Sequence, residues 1–321
     1  MTFASTFQFH VYLPWVNMWG LLRYCEIFAN LCLTFVSSSI AQASDEELQL
    51  YLLQLVQALK YDNYKVGEDK KKLSISRNNS VNVEDQEEEF EDLSSFLISR
   101  ASNHEGLANY LYWYLKIETE EEDNVNNQDD VAMYKEVLEI FLKETKFQST
   151  LERQSTLINN LVQLLSSVST GSEGRPSKIK KMQQMLMDQE QFKFDFSSFE
   201  PLPLPTDPSI NISGIEASEA HLFKSSLMPA KLTFTTPDQQ KVMVIFKNGD
   251  DLRQDQLILQ IISVMDQLLK KENLDLKLSP YRVLATSSKH GMMEYVDAIG
   301  ISDILKSKEG SILNYFRKYN P

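Results

Sequence analysis

Lys247 closes a run of apolar and β-branched residues, Val242-Met243-Val244-Ile245-Phe246, and Asp255 follows it by eight positions. The run predicts a buried strand, Asn248-Gly249-Asp250 predicts a turn, and Asp251 to Lys271 predicts a long helix. The apolar positions of that helix are Leu252, Leu257, Ile258, Ile261, Ile262, Met265, Leu268 and Leu269. A cation at a strand end, steadied by a carboxylate from the next helix, can hold an anionic group such as phosphate. Taken alone, a strand-end lysine is more often a solvated terminus; only its neighbours argue otherwise.

Those neighbours form a recognisable series. Ile210 to Ile215 alternates as a strand, and Leu222 to Phe234 reads as two strand-like halves around a turn. A strand pair, Tyr281 to Thr286 and Gly291 to Val296, follows the helix. Strand, turn, strand, lysine-bearing strand, helix and two strands is the order of a kinase small lobe. Such a lobe needs a loop over the phosphates, a lysine between the α- and β-phosphates, an acid to hold that lysine, and a strand edge for adenine. Ahead of it, Pro201-Leu202-Pro203-Leu204-Pro205 predicts an extended linker that excludes helix.

Upstream the pattern is helical. Ser44-Asp45-Glu46-Glu47 is a capping box, and Leu48, Tyr51, Leu52, Leu55, Val56 and Leu59 behind it keep helical spacing. Asn63 to Asp92 turns polar and predicts a flexible insertion. Helix signals resume at Phe96-Leu97-Ile98 and at Leu107 to Leu115, whose crowded aromatics suit packing between stacked helix pairs. Val131 to Leu142, Leu151 to Val168 and Lys178 to Gln191 extend the series, without a strict sequence period.

Composition narrows the choices. The 321 residues suffice for two domains, and 42% hydrophobic with 24% charged residues is ordinary for soluble globular protein. With 32 Lys and Arg against 45 Asp and Glu, the net charge of -13 argues against a nucleic-acid binder, which needs a basic face. Glu84 to Asp92 and Thr119 to Asp130 hold much of the acid and read as solvated segments. Cys25 and Cys32 stand about 10 Å of helical rise apart, too far for a disulfide, and read as apolar residues in a reducing compartment. Met1 to Ala43 is aromatic-rich and poor in charge, but it lacks the basic start of a secretory signal, and Arg23 and Glu26 interrupt it. The abrupt change at Ser44 reads as a start whose upstream sequence has been replaced.

Val244-Ile245-Phe246-Lys247-Asn248-Gly249-Asp250-Asp251-Leu252-Arg253-Gln254-Asp255 closely resembles the ATP-lysine segment of phosphatidylinositol 3-kinases. Phe223-Lys224-Ser225-Ser226-Leu227-Met228-Pro229-Ala230 is similar to their glycine-poor phosphate loop, in its class III (vacuolar protein-sorting) version. Lys271 to Leu278, Asn314 to Tyr319, Leu107 to Tyr114 and Tyr51 to Lys60 agree as well, so the resemblance runs from about Ala43 to the C-terminus. It implies an α+β chain in three parts: an unassigned segment 1–43, a helical accessory solenoid over 44–195, and a kinase-like N-lobe of antiparallel sheet and long helix over 196–321. The C-lobe is absent from the sequence.

The resemblance also implies roles. Lys247 contacts the ATP phosphates, Asp255 pairs with it and Tyr281 backs the pair. Phe223 and Ile245 close over adenine, Ser225 and Ser226 approach the phosphates, and Pro229 shapes their loop. Met293, Glu294, Tyr295 and Val296 form the hinge, where Met292 and Glu294 depart from the residues usual in animal class III enzymes. The implied activity is transfer of the ATP γ-phosphate to the 3-hydroxyl of phosphatidylinositol with Mg2+ or Mn2+, in endosomal trafficking and autophagy. The implied setting is cytoplasmic, peripheral on endosomal and autophagic membranes, with a pseudokinase-scaffold subunit and a beclin-type coiled-coil subunit. The family's Asp-Arg-His-x-x-Asn loop and Asp-Phe-Gly motif do not occur in the sequence, so neither a catalytic base nor a metal ligand is expected here and the chain alone should be inactive. The rival reading is a non-catalytic interaction protein built on the helical solenoid.

Overall fold

The structure, a computed structural model, describes residues 43–61, 92–120, 128–307 and 310–319. Residues 1–42 of the apolar segment, with both cysteines, and residues 63–91 of the polar insertion lie outside the described residues.

The helical part opens with α1 (Asp45–Ala58), started by the expected capping box: Ser44 Oγ accepts from the Glu47 amide at 3.2 Å and Glu47 accepts from the Ser44 amide at 3.4 Å. It continues through α2 (Leu93–Asn103), α3 (Glu105–Glu118), α4 (Gln128–Glu144), α5 (Gln148–Ser169), α6 (Arg175–Met187) and the single turn α7 (Gln189–Phe192). Helix α3 is the hub. It packs against α1, α2 and α4, and every residue from Leu107 to Leu115 is buried. A helix without a polar face has to be surrounded, which accounts for its density of aromatics. Lys116 lies at 4.8 Å from the Trp113 ring, and Tyr112 meets the same ring edge-on at 5.0 Å.

The strand-rich part begins earlier than the sequence suggests. Leu202–Leu204 is not a free linker; it is strand β1, antiparallel to β2 (Asp207–Ile212), with Pro203 opposite Asn211. Proline is tolerated there because β1 has a partner on one side only. The second sheet is wholly antiparallel. It joins β3 (Gly214–Ile215), β5 (Ala230–Thr235), β6 (Lys241–Asn248), β8 (His290–Glu294) and β7 (Val283–Ala285) in that order, with β4 (His221–Leu222) pairing the far end of β5. Helix α8 (Arg253–Lys271) connects β6 to β7, and two short helices, α9 (Ile301–Lys306) and α10 (Ile312–Tyr319), come last. The architecture is therefore a helical segment followed by a small antiparallel sheet with one long helix, the α+β class expected.

One apolar core runs through both parts, from Leu48 and Trp113 to Phe234 and Phe246. Two polar contacts join the parts beside it: Gln260 of α8 donates to Gln54 of α1 at 2.8 Å, and at the exposed surface Lys271 pairs with Glu47 at 3.3 Å. The outward apolar residues of α8 stay exposed, Met265 and Leu268 at 53% each. Helical periodicity told which residues share that face, not what covers it.

Candidate functional site

Strand β6 alternates, with Val244 and Phe246 buried in the core and Met243, Ile245 and Lys247 on the other face. Ile245 stands opposite Lys231 of β5 and Met293 of β8, and Lys247 stands opposite Gly291. Directly opposed residues share a face of an antiparallel sheet. Lys231, Ile245 and Met293 thus form one row, and Lys247 lies in the next, beside a residue with no side chain.

The ion pair of Lys247 is with Asp250, Nζ to Oδ2 at 3.1 Å, and not with Asp255 as the sequence suggested. The turn explains the substitution. Gly249 takes a φ of +86°, and the amides of Gly249 and Asp250 both donate to the Lys289 carbonyl, at 2.7 and 3.0 Å. The chain doubles back and carries the Asp250 carboxylate to the strand end. Asp255 lies farther along α8, without an ion pair to the lysine but within its field: burial pushes its carboxyl up, Lys247 opposes the rise, and Asp250 and Asp251 add to it. Burial also pushes the Tyr281 phenol up, and the Asp255 charge adds to that. Asp255 is therefore coupled to Lys247 on one side and to Tyr281 on the other, while the lysine rests on a nearer acid.

That arrangement gives a stability prediction. The Asp255 carboxyl titrates above its unfolded value, so ionisation costs the folded state: the penalty is full above the raised folded pKa and absent below the unfolded value of about 3.9. Asp255→Asn is expected to raise stability by about 0.5–1 kcal/mol at pH 7, an effect typical of relieving functional strain. Denaturant midpoints followed from pH 7 down towards the unfolded value of about 3.9 should show the advantage shrinking over the last part of that range. A variant less stable than the parent at pH 7 would contradict this account.

The loop from Phe223 to Pro229 closes on itself. The Phe223 amide donates to the Pro229 carbonyl at 2.9 Å, and the Met228 amide, at a φ of 45°, donates to Ser225 Oγ at 3.1 Å. Ser225 and Ser226 are exposed at its tip, while Phe223, Met228 and Pro229 are half-buried. The neighbouring Leu227 side chain lies over Gly249, where a Cβ would meet it at 3.6 Å. The loop and the lysine turn therefore lie side by side.

At the other end of the face, the Glu294 amide donates to the Arg282 carbonyl at 2.8 Å and the Tyr295 amide to the Met243 carbonyl at 3.1 Å. Lys231 Nζ sits 4.1 Å from the centre of the Tyr295 ring. Among the described residues the Val296 amide, next in line, meets no protein acceptor. Phe223, Ser225 and Ser226 thus lie at one end of the sheet face, Ile245 and Lys247 along it, and Met293 to Val296 at the other end; Asp255 lies in the first turn of α8, and Tyr281 just before Arg282, which pairs with Glu294. Sequence reasoning missed Asp250, Lys231 and Gly291. The first was legible as the acid of an Asn-Gly-Asp turn; the other two needed the strand register.

Two family models match the chain. The phosphoinositide 3-kinase family accessory domain (PIK domain) covers residues 28–153, and the phosphatidylinositol 3- and 4-kinase model covers residues 241–318. Phosphatidylinositol 3-kinase pik3 of Schizosaccharomyces pombe is 39% identical over 294 residues, covering 89% of this chain and 34% of that protein. Phosphatidylinositol 3-kinase VPS34 of Arabidopsis thaliana is 35% identical over 323 residues, covering 94% and 36%. Phosphatidylinositol 3-kinase VPS34 of Saccharomyces cerevisiae is 33% identical over 329 residues, covering 92% and 36%. The chain belongs to the phosphatidylinositol 3-kinase family. It spans about a third of the length of these relatives. The phosphatidylinositol 3- and 4-kinase match opens on Lys241, the first residue of β6, and takes in Lys247, Asp255, Tyr281 and Met293 to Val296. The loop around Ser225 precedes it. The accessory-domain match begins at residue 28, so the phosphatidylinositol 3-kinase resemblance starts upstream of Ala43, inside the apolar segment that the sequence set apart.

Proposed function

We propose that this chain forms the helical scaffold and ATP-binding small lobe of a phosphatidylinositol 3-kinase of the class III type. In that reading the whole enzyme breaks the bond between the β-bridging oxygen and the γ-phosphorus of ATP, releasing ADP, and forms one from that phosphorus to the 3-hydroxyl oxygen of phosphatidylinositol, whose proton is released. The observation that carries the reading is Lys247, on the open face of β6 beside an exposed hydroxyl-bearing loop and coupled to Asp255, which is coupled in turn to Tyr281. The ammonium leaves Asp250 for the α- and β-phosphates, and Asp255 steadies it there. Ile245, Phe223 and Met293 supply apolar contacts for adenine, Val296 a free amide for its edge, and Ser225 and Ser226 donors for phosphate oxygens once Pro229 has shaped the loop. The fit for Mg2+ or Mn2+ fails: among the described residues no three His, Cys, Asp or Glu side chains are placed to hold a metal ion, so no step is drawn through one.

The membrane setting, the pseudokinase-scaffold and beclin-type partners, and roles in endosomal traffic and autophagy belong to the same proposal and rest on the resemblance. No described helix is long and apolar enough to cross a membrane, and peripheral binding does not require one.

Titration of the purified chain with a fluorescent ATP analogue tests the reading. Binding in the high micromolar to millimolar range is expected, with Lys247→Met abolishing it while the circular dichroism spectrum stays unchanged. Equal binding by parent and variant would falsify the assignment of Lys247. No phosphatidylinositol 3-phosphate is expected from the 321 residues alone, which contain no Asp-Arg-His-x-x-Asn loop. Lys247-dependent turnover would overturn that expectation and with it the division of labour proposed here.

A further inference from the structure

We propose that Arg282 is a positioning residue that sets the adenine-binding segment Met293 to Val296 from the helical part of the chain; the inference rests on the ATP reading above. Three contacts fix Arg282 to that segment. Its amide donates to Glu294 Oε2 at 3.1 Å, its carbonyl accepts from the Glu294 amide at 2.8 Å, and its Nη1 lies 3.7 Å from Glu294 Oε2. The same Nη1 reaches Asp207 Oδ2 at 3.2 Å. One guanidinium nitrogen therefore bridges two carboxylates, one at the end of β8 and one at the start of β2.

Asp207 is not a mobile surface acid. Its side chain is 12% exposed, and its other carboxylate oxygen accepts from Ser209 Oγ at 2.6 Å and from the Ser209 amide at 3.3 Å. The residues just before it are clamped into the helical core. Tyr110 OH donates to the Thr206 carbonyl at 2.9 Å, Asn109 Nδ2 to the Pro205 carbonyl at 2.8 Å, and Gln154 Nε2 to the Pro203 carbonyl at 2.7 Å. Gln154 and Asn109 are bonded to each other at 2.9 Å, and all three side chains are buried. Buried amides with their bonds complete hold one geometry, because any displacement leaves a donor or acceptor unpaired in a low-dielectric interior. A continuous polar path thus runs from α3 and α5 through the β1–β2 turn and Asp207 to Arg282, and ends on Glu294.

Stability alone does not call for the Glu294 arm of this bridge. The Arg282 and Glu294 side chains are 52% and 44% exposed, and ion pairs at that exposure contribute little to folding. What the bridge fixes is direction. The Glu294 carboxylate and amide are both held by Arg282, so the Val296 amide two residues on can point to only a narrow range of positions. A base bound at that edge feels the bridge, whereas a phosphate chain bound at Lys247, at the other end of the face, does not.

The test compares ATP with inorganic triphosphate on the purified chain, by competition against the fluorescent ATP analogue. Arg282→Ala is expected to weaken ATP by about fivefold and to leave triphosphate affinity unchanged when both are measured well below its melting temperature. Asp207→Asn should reproduce the ATP loss, and the double variant should lose no more than either single one, since both remove one bridge. Arg282→Lys, which can reach one carboxylate but cannot span two, should fall between parent and alanine. Parent-like ATP affinity in Arg282→Ala overturns the inference while leaving the ATP reading intact. Equal losses for ATP and triphosphate also overturn it, since they indicate damage to the whole face. A parent chain whose ATP binding does not depend on Lys247 removes the ATP reading itself.

Discussion

Trp113→Ala is expected to cost about 3–5 kcal/mol of stability, the range measured for deleting a fully buried large aromatic. Domains of this size have roughly 5–15 kcal/mol in total, so the variant should sit close to unfolding. Three losses combine. The indole is 0% exposed at the centre of α3, and no neighbouring helix can move in to fill the space without parting from another. The indole N–H donates to Gln154 Oε1 at 3.3 Å, so its removal leaves a buried acceptor unpaired. Lys116, whose pKa burial holds below the usual lysine range, loses the ring that lies 4.8 Å from its ammonium. Urea denaturation followed by circular dichroism should show the midpoint falling sharply; each kcal/mol shifts melting by about 2–4 °C in a domain of this size. Trp113→Phe, which keeps most of the volume, should recover more than half of the loss. A melting temperature unchanged in Trp113→Ala would mean that α3 is not the hub the packing indicates. Because Gln154 also holds Pro203 and Asn109, the damage should extend to the β1–β2 turn.

The helical part was legible because its rules are local. A capping box depends on residues three apart, and an amphipathic repeat on residues three and four apart, so both can be read without knowing what lies across the core. The packing of α3 between neighbouring helices was legible from its crowded aromatics. In the sheet, the β-branched run ending in Lys247 was legible as a strand, but that Lys247 shares a face with Ile245 and not with Phe246 is shown by the structure. What failed depended on other parts of the chain. The segment Leu202–Leu204 looked like a polyproline linker because its prolines are visible and its partner strand is not; pairing with β2 on one edge reconciles them. The acid nearest the lysine was missed because Asp250 and Asp255 are equally acidic in sequence. The choice between them depends on how far the Gly249 turn folds back, and two amides converging on the Lys289 carbonyl settle that. Arg282 gave no signal at all. Its two carboxylates lie 75 positions upstream and 12 downstream, and only the clamped β1–β2 turn brings them together.

Gly291→Ala should damage both the fold and the site. A Cβ at Gly291 would stand 2.5 Å from the Leu284 carbonyl oxygen, 2.6 Å from Leu252 Cδ1 and 3.0 Å from the Ala285 Cα. Two of these are backbone atoms of β7, held by its pairing with β8 and by the Ala285 amide, which donates to Gln256 of α8 at 2.8 Å. Neither can yield without breaking one of those bonds, so the leucine at the mouth of α8 has to move as well. Overpacking of this kind costs about 1–3 kcal/mol. The position gives the cost a second consequence. Gly291 is in register with Lys247, and Leu252 lies between Asp250 and Asp255, so displacing it moves both acids that determine where the lysine rests. Gly214→Ala is the matching control: its Cβ would run into the Ser197 carbonyl oxygen, at the far edge of the sheet. Both variants should melt lower than the parent, but only Gly291→Ala should lose affinity for inorganic triphosphate when measured well below its melting temperature. If the two lower triphosphate affinity alike, the loss belongs to the sheet as a whole, and the close approach at Gly291 has no special hold on Lys247.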